Sequence, residues 1–546
     1  MSQASPTSVP ELLQGLSGLL QSGRHAEAAK VLRRALDLAP VDAAVTAAVA
    51  RMTELARTWL TFGQIQLAVD ALSPLAASRH AGGLVLMLYG HALMATGRRE
   101  EAEAVFRGWL EKEPHNNDAA LRLAAVLADT GKSAEAESLV RAAVGRHGAT
   151  PESAFVLGRA LLGLARFGEA EEQFRHVVHA RPDHQAAHAN LMELVWMRSG
   201  DIREASRALD RALRSEPHLV GLRVTKSRLL LSAGMQAEAL AELDAGLAMA
   251  PRDATLLTSA TTVALELDGD RALGYAKRLR EGAPRDRAAR VAMGNAYLAA
   301  GDASAALTIA EALHRSDPGD GQALAMTADA QRMLGDQRYR ELLDYRHLVR
   351  AGSIDVPPGW ASLDAYLADL TADLERVHVL HAHPVGNSLR EGSQIPLVPE
   401  NSPFASVRAF PQAIDGSIHR YMQAIGTGSD PMRKRNTGRY RISGMWSVRL
   451  RPHGFHVNHY HPEGWISSAC YLHLPRAVER TGGEGWLKFG EPAFPTRPLL
   501  KPEFFIKPSP GLLVLFPSYM WHGTVPFAGA PEDTRVTIAF DVVPVP

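Results

Sequence analysis

Through roughly the first 335 residues, apolar positions recur three and four apart in runs of about a dozen residues, the spacing of amphipathic helices. The run 102–110, Ala-Glu-Ala-Val-Phe-Arg-Gly-Trp-Leu, is representative. The helical spacing continues over 336–380, interrupted by Pro357-Pro358-Gly359-Trp360 and resumed from 363 to 377. Beyond that the apolar runs shorten and become β-like, at 441–450, 465–474, 486–489, 512–516 and 536–543. Turn signals such as Gly482-Gly483 and Pro508 to Gly511 separate them. Several short strands with this punctuation predict a β-sandwich or jelly roll, with the preceding helices buttressing one face.

The helical part repeats itself with a period of about 34 residues. Ala28, Ala68, Ala102, Ala136, Ala170, Ala205, Ala239, Ala272 and Ala306 mark the period. A glycine stands five residues before most of them (Gly23, Gly63, Gly97, Gly131, Gly200, Gly234, Gly301). A proline stands twelve residues after most of them (Pro40, Pro114, Pro182, Pro217, Pro251, Pro284, Pro318). Glycine permits the tight turn inside a helix pair, alanine lets the helices pack closely, and proline ends the second helix. This punctuation resembles tetratricopeptide repeats, about nine of them. The resemblance implies a right-handed superhelix over 1–335 whose concave groove holds a peptide or protein, with a plain spacer or oligomerisation scaffold as the other use. A second domain, 336–546, follows.

Composition agrees with a division of this kind. Five of the eight tryptophans lie beyond residue 355, where Pro, Phe, Tyr and His also become frequent. Lys plus Arg and Asp plus Glu both number 59, so the net charge is zero and a general nucleic-acid-binding surface is not expected. The single cysteine, Cys470, rules out an intrachain disulfide framework and fits a reducing compartment. The first ten residues lack a basic stretch followed by an apolar run, and no apolar stretch reaches about 18 residues. The expectation is a cytoplasmic protein that does not enter a membrane.

The candidate chemistry lies in the strand-rich part. Asn458-His459-Tyr460-His461-Pro462 is answered some sixty residues later by Met520-Trp521-His522, and then by Arg535-Val536-Thr537. Two histidines one residue apart and a third beside a distant strand suit a mononuclear iron site with open positions. His459, His461 and His522 form the leading ligand set. His461 with Glu463 and His522, or sets using His456, are the other combinations. Arg535 and Thr537 alternate onto one face of their strand, where a guanidinium fork and a hydroxyl suit a carboxylate. Tyr471, on the strand after the histidine pair, could add its phenol to the same carboxylate.

Three stretches carry a resemblance: Gly454-Phe-His-Val-Asn-His-Tyr-His-Pro-Glu-Gly-Trp-Ile-Ser-Ser468, Gly485-Trp-Leu-Lys-Phe-Gly490, and Leu515-Phe-Pro-Ser-Tyr-Met-Trp-His-Gly-Thr-Val-Pro-Phe527. His383-Pro384, Arg390 to Gln394 and the ending Arg535 to Asp541 fit the same pattern. Together they resemble the 2-oxoglutarate/iron(II) oxygenase domains found behind tetratricopeptide repeats. The resemblance implies a double-stranded β-helix core similar to prolyl hydroxylases, with His459, His461 and His522 on iron(II) and Arg535 on 2-oxoglutarate. It further implies a dioxygenase that uses molecular oxygen, and the repeats would recruit a peptide or protein for hydroxylation. His461 stands where the wider group has an aspartate. Two other readings remain: a three-histidine iron dioxygenase that does not use 2-oxoglutarate, and a repeat scaffold with an inactive β-domain.

Overall fold

The computed structural model describes residues 8–545, so residues 1–7, part of the stretch read above for a leader, lie outside the described residues. Two compact units divide the chain, the first ending at Ala187 and the second beginning at His188.

In the first unit, helices pair in succession: α1 (Val9–Gln21) with α2 (His25–Leu38), α3 (Ala43–Thr61) with α4 (Ile65–Ala76), α5 (Gly83–Ala95) with α6 (Arg99–Lys112), α7 (Asn117–Asp129) with α8 (Ser133–His147), and α9 (Pro151–Gly163) with α10 (Phe167–Ala180). The periodic alanines explain the pairing. Ala28, Ala68, Ala102, Ala136 and Ala170 are all fully buried, and a larger side chain there would push the helices apart. Gly23, Gly63, Gly97 and Gly131 hold φ between 72° and 79°, the left-handed backbone that lets one helix fold back on the next. Ala165 occupies the equivalent place before α10 at φ 56°, where its Cβ is strained. Ala165→Gly is therefore expected to stabilise the chain by about 0.5–1 kcal/mol. Thermal unfolding checks this, and a lowered midpoint would contradict it.

The second unit continues the pattern with α11 (Gln185–Ser199), α12 (Ile202–Ser215), α13 (Val220–Ser232), α14 (Gln236–Met249), α15 (Ala254–Leu267), α16 (Gly269–Gly282), α17 (Arg287–Ala300) and α18 (Ala303–Ser316). A closing helix, α19 (Gly321–Met333), packs against α18. Asp201, Asp253, Asp268, Asp286, Asp302 and Asp320 each accept backbone N–H groups at a helix start, satisfying donors no intrahelical carbonyl can reach.

The chain then changes architecture. After two single turns, α20 (Tyr339–Leu342) and α21 (Tyr345–Leu348), come β1 (Arg350–Ser353), α22 (Leu363–Glu375), β2 (Leu389–Pro396) and α23 (Ala405–Ile425). The remaining strands are β3 (Tyr440–His456), β4 (Ile466–His473), β5 (Leu487–Phe489), β6 (Phe504–Ile506), β7 (Leu512–Pro517), β8 (His522–Thr524) and β9 (Arg535–Pro544). They form an antiparallel six-stranded sheet in the order β1-β7-β4-β9-β3-β2 and a three-stranded sheet β6-β5-β8. The fold is thus a mostly helical tetratricopeptide-like array followed by an antiparallel β-domain.

Two details depart from the sequence pattern. The helical spacing over 336–380 is interrupted by β1, which pairs Arg350–Ser353 against Leu512–Leu515. A twenty-one-residue helix, α23, runs through Pro411, where the missing amide predicts a break. Val407, Phe410, Ile414, Ile418, Tyr421 and Ile425 are all buried at helical spacing, and that burial outweighs one lost hydrogen bond.

The β-domain does not stand apart from the last repeats. Leu324 and Ala328 of α19 belong to the same core as Phe489, Phe516 and Met520. Phe494 and Trp521 belong to the core of the helices from α13 to α19. The Arg332 guanidinium donates to the Gly490 and Lys501 carbonyls. Gly321 lies so close to the 461–464 turn that a Cβ there would sit 2.7 Å from the Pro462 carbonyl oxygen. Among the described residues no helix is long and apolar enough to cross a membrane.

Candidate metal and co-substrate site

Residues 459–461 continue the path of β3 out of the six-stranded sheet and pair with the start of β8 in the three-stranded one. His459 and His522 exchange both backbone hydrogen bonds, each at 2.9 Å, and the His461 N–H donates to the Ser518 carbonyl at 2.8 Å. Backbone pairing therefore brings together histidines more than sixty residues apart. One ligand atom from each of His459, His461 and His522 lies within 4.8 Å of the others, a group that could hold a metal ion.

Their hydrogen bonds define which nitrogen is free. His459 Nδ1 lies 2.8 Å from the Val457 carbonyl, and His522 Nδ1 3.0 Å from the Met520 carbonyl. His461 Nδ1 lies 2.7 and 2.6 Å from the two Asp541 carboxylate oxygens. Carbonyls and carboxylates only accept, so each Nδ1 carries the proton and each Nε2 keeps its lone pair for an ion. Burial pushes His459 down to about 3 and His522 well below its ordinary value, so both are neutral at physiological pH.

Asp541 escaped the sequence reading. Its carboxylate also accepts the Ser467 hydroxyl at 2.7 Å, and Ser467 in turn bonds Ser518. Asp541 thereby ties His461 to the β4 strand through Ser467. The signal was present only as the last residue of the Arg535–Asp541 motif, eighty residues from its partner.

Glu463 lies exposed in the turn after His461 and is outside the clustered group. His456 lines the same cavity as the three histidines, with its ring 5.9 Å from that of His459 and its Nδ1 3.0 Å from the Ser388 hydroxyl. It too is outside the group whose ligand atoms converge.

The cavity has a volume of about 620 Å³ and is lined by the three histidines together with Arg535 and Thr537. Arg535 is 2 % exposed, yet among the described residues it forms no ion pair, and its Nε has no hydrogen-bond partner. Among the described residues it makes a long hydrogen bond, from Nη1 to the Gly485 carbonyl at 3.4 Å. Burial lowers its pKa, the mark of a desolvated cation without a counter-ion. Thr537 sits opposite Tyr471 across the β4–β9 pair. Tyr471 is fully buried, does not line the cavity, and presents its ring to the Arg535 guanidinium at 5.0 Å. Its hydroxyl is also without a partner.

Residues 444–541 match the family described as "Putative 2OG-Fe(II) oxygenase". The C-terminal part of the chain is a 2OG-Fe(II) oxygenase-family domain. Residues 93–154 match a tetratricopeptide-repeat family. No curated protein matches the sequence. Among solved structures, a thermophilic tetratricopeptide-repeat protein from Thermus thermophilus is 23 % identical and aligns over 34 % of this chain and 100 % of its own, with TM-score 0.27. One from Parabacteroides merdae is 16 % identical over 45 % and 98 %, with TM-score 0.31. The pilF protein of Pseudomonas aeruginosa is 20 % identical over 38 % and 93 %, with TM-score 0.27.

The segments that carry the three histidines are anchored from behind by the last repeat helices. Tyr460, between two of the histidines, and Trp521, next to the third, meet edge to face at 4.5 Å and pack into the helical core. Trp521 Nε1 donates to Asp329 Oδ2 of α19 at 2.7 Å. Burial raises Asp329 to about 7. Between the ordinary carboxylate range and that value the folded chain keeps a proton that the unfolded chain has lost, so stability falls as pH rises through this window. Relative to the parent chain, Asp329→Asn should therefore gain about 1.4 kcal/mol between pH 6 and pH 8. Denaturant unfolding of the metal-free protein at the two pH values measures it. A difference that does not change with pH would refute the assignment.

Proposed function

We propose that this chain is an iron(II)- and 2-oxoglutarate-dependent dioxygenase, with a repeat array in residues 1–335 and the catalytic domain in 336–546. The observation that carries the reading is one cavity lined by three clustered histidines, each with its Nδ1 already bonded, and a buried arginine without an ion pair among the described residues. The residues fit both groups. His459, His461 and His522 would hold the metal by one face, leaving positions open. Arg535, with the Thr537 hydroxyl beside it, would take the distal carboxylate of 2-oxoglutarate, and the Tyr471 ring behind the guanidinium keeps the fork in place. Three neutral imidazoles leave the full double positive charge of the ion, which a dianionic co-substrate offsets. When bound, iron and 2-oxoglutarate supply the oxidising chemistry: oxygen is consumed, 2-oxoglutarate leaves as succinate and carbon dioxide, and a C–H bond is hydroxylated.

The protein's own part is positioning. Asp541 holds the Nδ1 proton of His461 and so fixes the direction of its Nε2, as carboxylate partners of metal-bound histidines do. Asp541→Asn is expected to weaken metal affinity about ten- to a hundredfold. Anaerobic titration of the purified chain reads this directly, and unchanged affinity would reduce Asp541 to a packing role. A peptide or protein held by the repeats is the substrate we favour, on the presence of the repeats alone.

Anaerobic iron(II) titration followed by oxygen and 2-oxoglutarate tests the whole reading. Stoichiometric succinate release is expected. Iron binding without 2-oxoglutarate turnover would point instead to a three-histidine dioxygenase of another kind. Absence of iron binding would leave a scaffold.

A further inference from the structure

We infer that the group entering the cavity from the substrate carries an anion, a carboxylate or a phosphate, received by Arg228 of α13 and Arg390 of β2. This deepens the oxygenase reading and rests on it for the role of the cavity. Besides Arg535, the lining contains two further arginines, Arg228 and Arg390, and no aspartate or glutamate. A cavity that walls in three guanidinium groups and no carboxylate selects negative charge. Arg535 is spent on the co-substrate, which leaves the other two.

These two are placed, not incidental. The segment before β2 is tied to the repeat helices: the Val385 N–H donates to Glu193 Oε1 at 3.1 Å and the Gly386 N–H to the Ser232 hydroxyl at 2.9 Å. That tie draws Gly386 under the Arg228 guanidinium, whose Nη2 would lie 3.4 Å from a Cβ at that position. It also brings Arg390 to the same wall. Arg390 is anchored by Nη1 alone, which donates to the Asn387 and Leu389 carbonyls at 2.8 and 2.9 Å. Its Nε and Nη2 make no hydrogen bond among the described residues. Arg228 likewise forms no hydrogen bond or ion pair among the described residues. Glu193 and Glu266, acidic groups that interact with Arg228 and Arg390 respectively, do not line this cavity, although Glu266 does line an adjoining one with Arg390. One of the two receiving arginines therefore comes from the repeats and the other from the β-domain. Substrate choice is built across that seam within the second unit.

The test uses the full chain loaded with zinc and 2-oxoglutarate, titrated with four capped tripeptides whose central residue is phosphoserine, aspartate, serine or asparagine. The two anionic peptides are expected to bind about tenfold or more tighter than the neutral pair. Arg228→Gln, an exposed position whose loss spares the core, should bring that preference to within about twofold while leaving 2-oxoglutarate affinity unchanged. Equal binding of all four peptides, or an undiminished preference in Arg228→Gln, would overturn the inference. A parallel titration of the metal-free chain keeps it separate from the iron reading. There the preference should survive Arg535→Gln and fail in Arg228→Gln, whether or not iron is ever bound. The aspartate and phosphoserine arms tell the two anion sources apart.

Discussion

Arg535→Gln is expected to weaken 2-oxoglutarate binding by roughly 2–5 kcal/mol, a loss of about thirty- to several-thousandfold in affinity, while iron(II) affinity stays within a few fold of the parent chain. The size follows from the burial of the guanidinium. At 2 % exposure, without an internal anion, it is a desolvated cation whose compensation has to come from a ligand. The glutamine amide keeps a donor at the site but loses both the charge and the fork. Removing an unpaired buried charge should also stabilise the unliganded fold, so the variant is expected to unfold at a higher temperature than the parent without 2-oxoglutarate. Calorimetric titration with the co-substrate reads the first effect and thermal unfolding the second. Unchanged 2-oxoglutarate affinity would remove Arg535 from the site.

The second large effect concerns the seam between the repeats and the β-domain. Residues 336–546 expressed alone are expected neither to unfold cooperatively nor to bind metal with the affinity of the whole chain. The fragment would expose the face of Phe494, Tyr460 and Trp521 that packs against α13 to α19, and would lose Leu324 and Ala328 from its own core. Trp521→Ala in the full chain is a gentler form of the same experiment. It deletes a 9 % exposed indole and leaves Asp329 buried without its donor, at an expected cost of about 3–5 kcal/mol. Because His522 is the next residue, metal affinity should fall as well. A fragment that melts cooperatively and binds metal like the parent would show that the seam is dispensable.

What the sequence disclosed follows from the range of the forces involved. Helix pairs were legible because most repeats use the same local solution, a glycine at positive φ, a buried alanine and a proline after the last turn. The strands β3, β4, β5, β7 and β9 were legible because each is a distinct apolar run. β1, β2 and β8 were not: β2 is broken by Gly392 and a register shift, β1 is exposed along its length, and β8 is His-Gly-Thr with no apolar run; β6, as short and apolar as β5, was passed over. The histidines drew notice as a cluster, but Asp541 did not, since a carboxylate on a strand announces nothing until its partner is in view. The Trp521–Asp329 contact, 192 residues apart, has no local signature at all.

The alternation of 459, 460 and 461 makes spacing as heritable as identity. The two histidines converge on His522, while Tyr460 between them packs its ring against Trp521 and the helical core. Deleting Asn458 would keep every histidine in the protein yet turn the imidazoles of this segment away from His522. A single lost codon would thus disperse the cluster without changing one of its histidines, and a search for equivalent proteins should weigh the register of this segment as heavily as its letters.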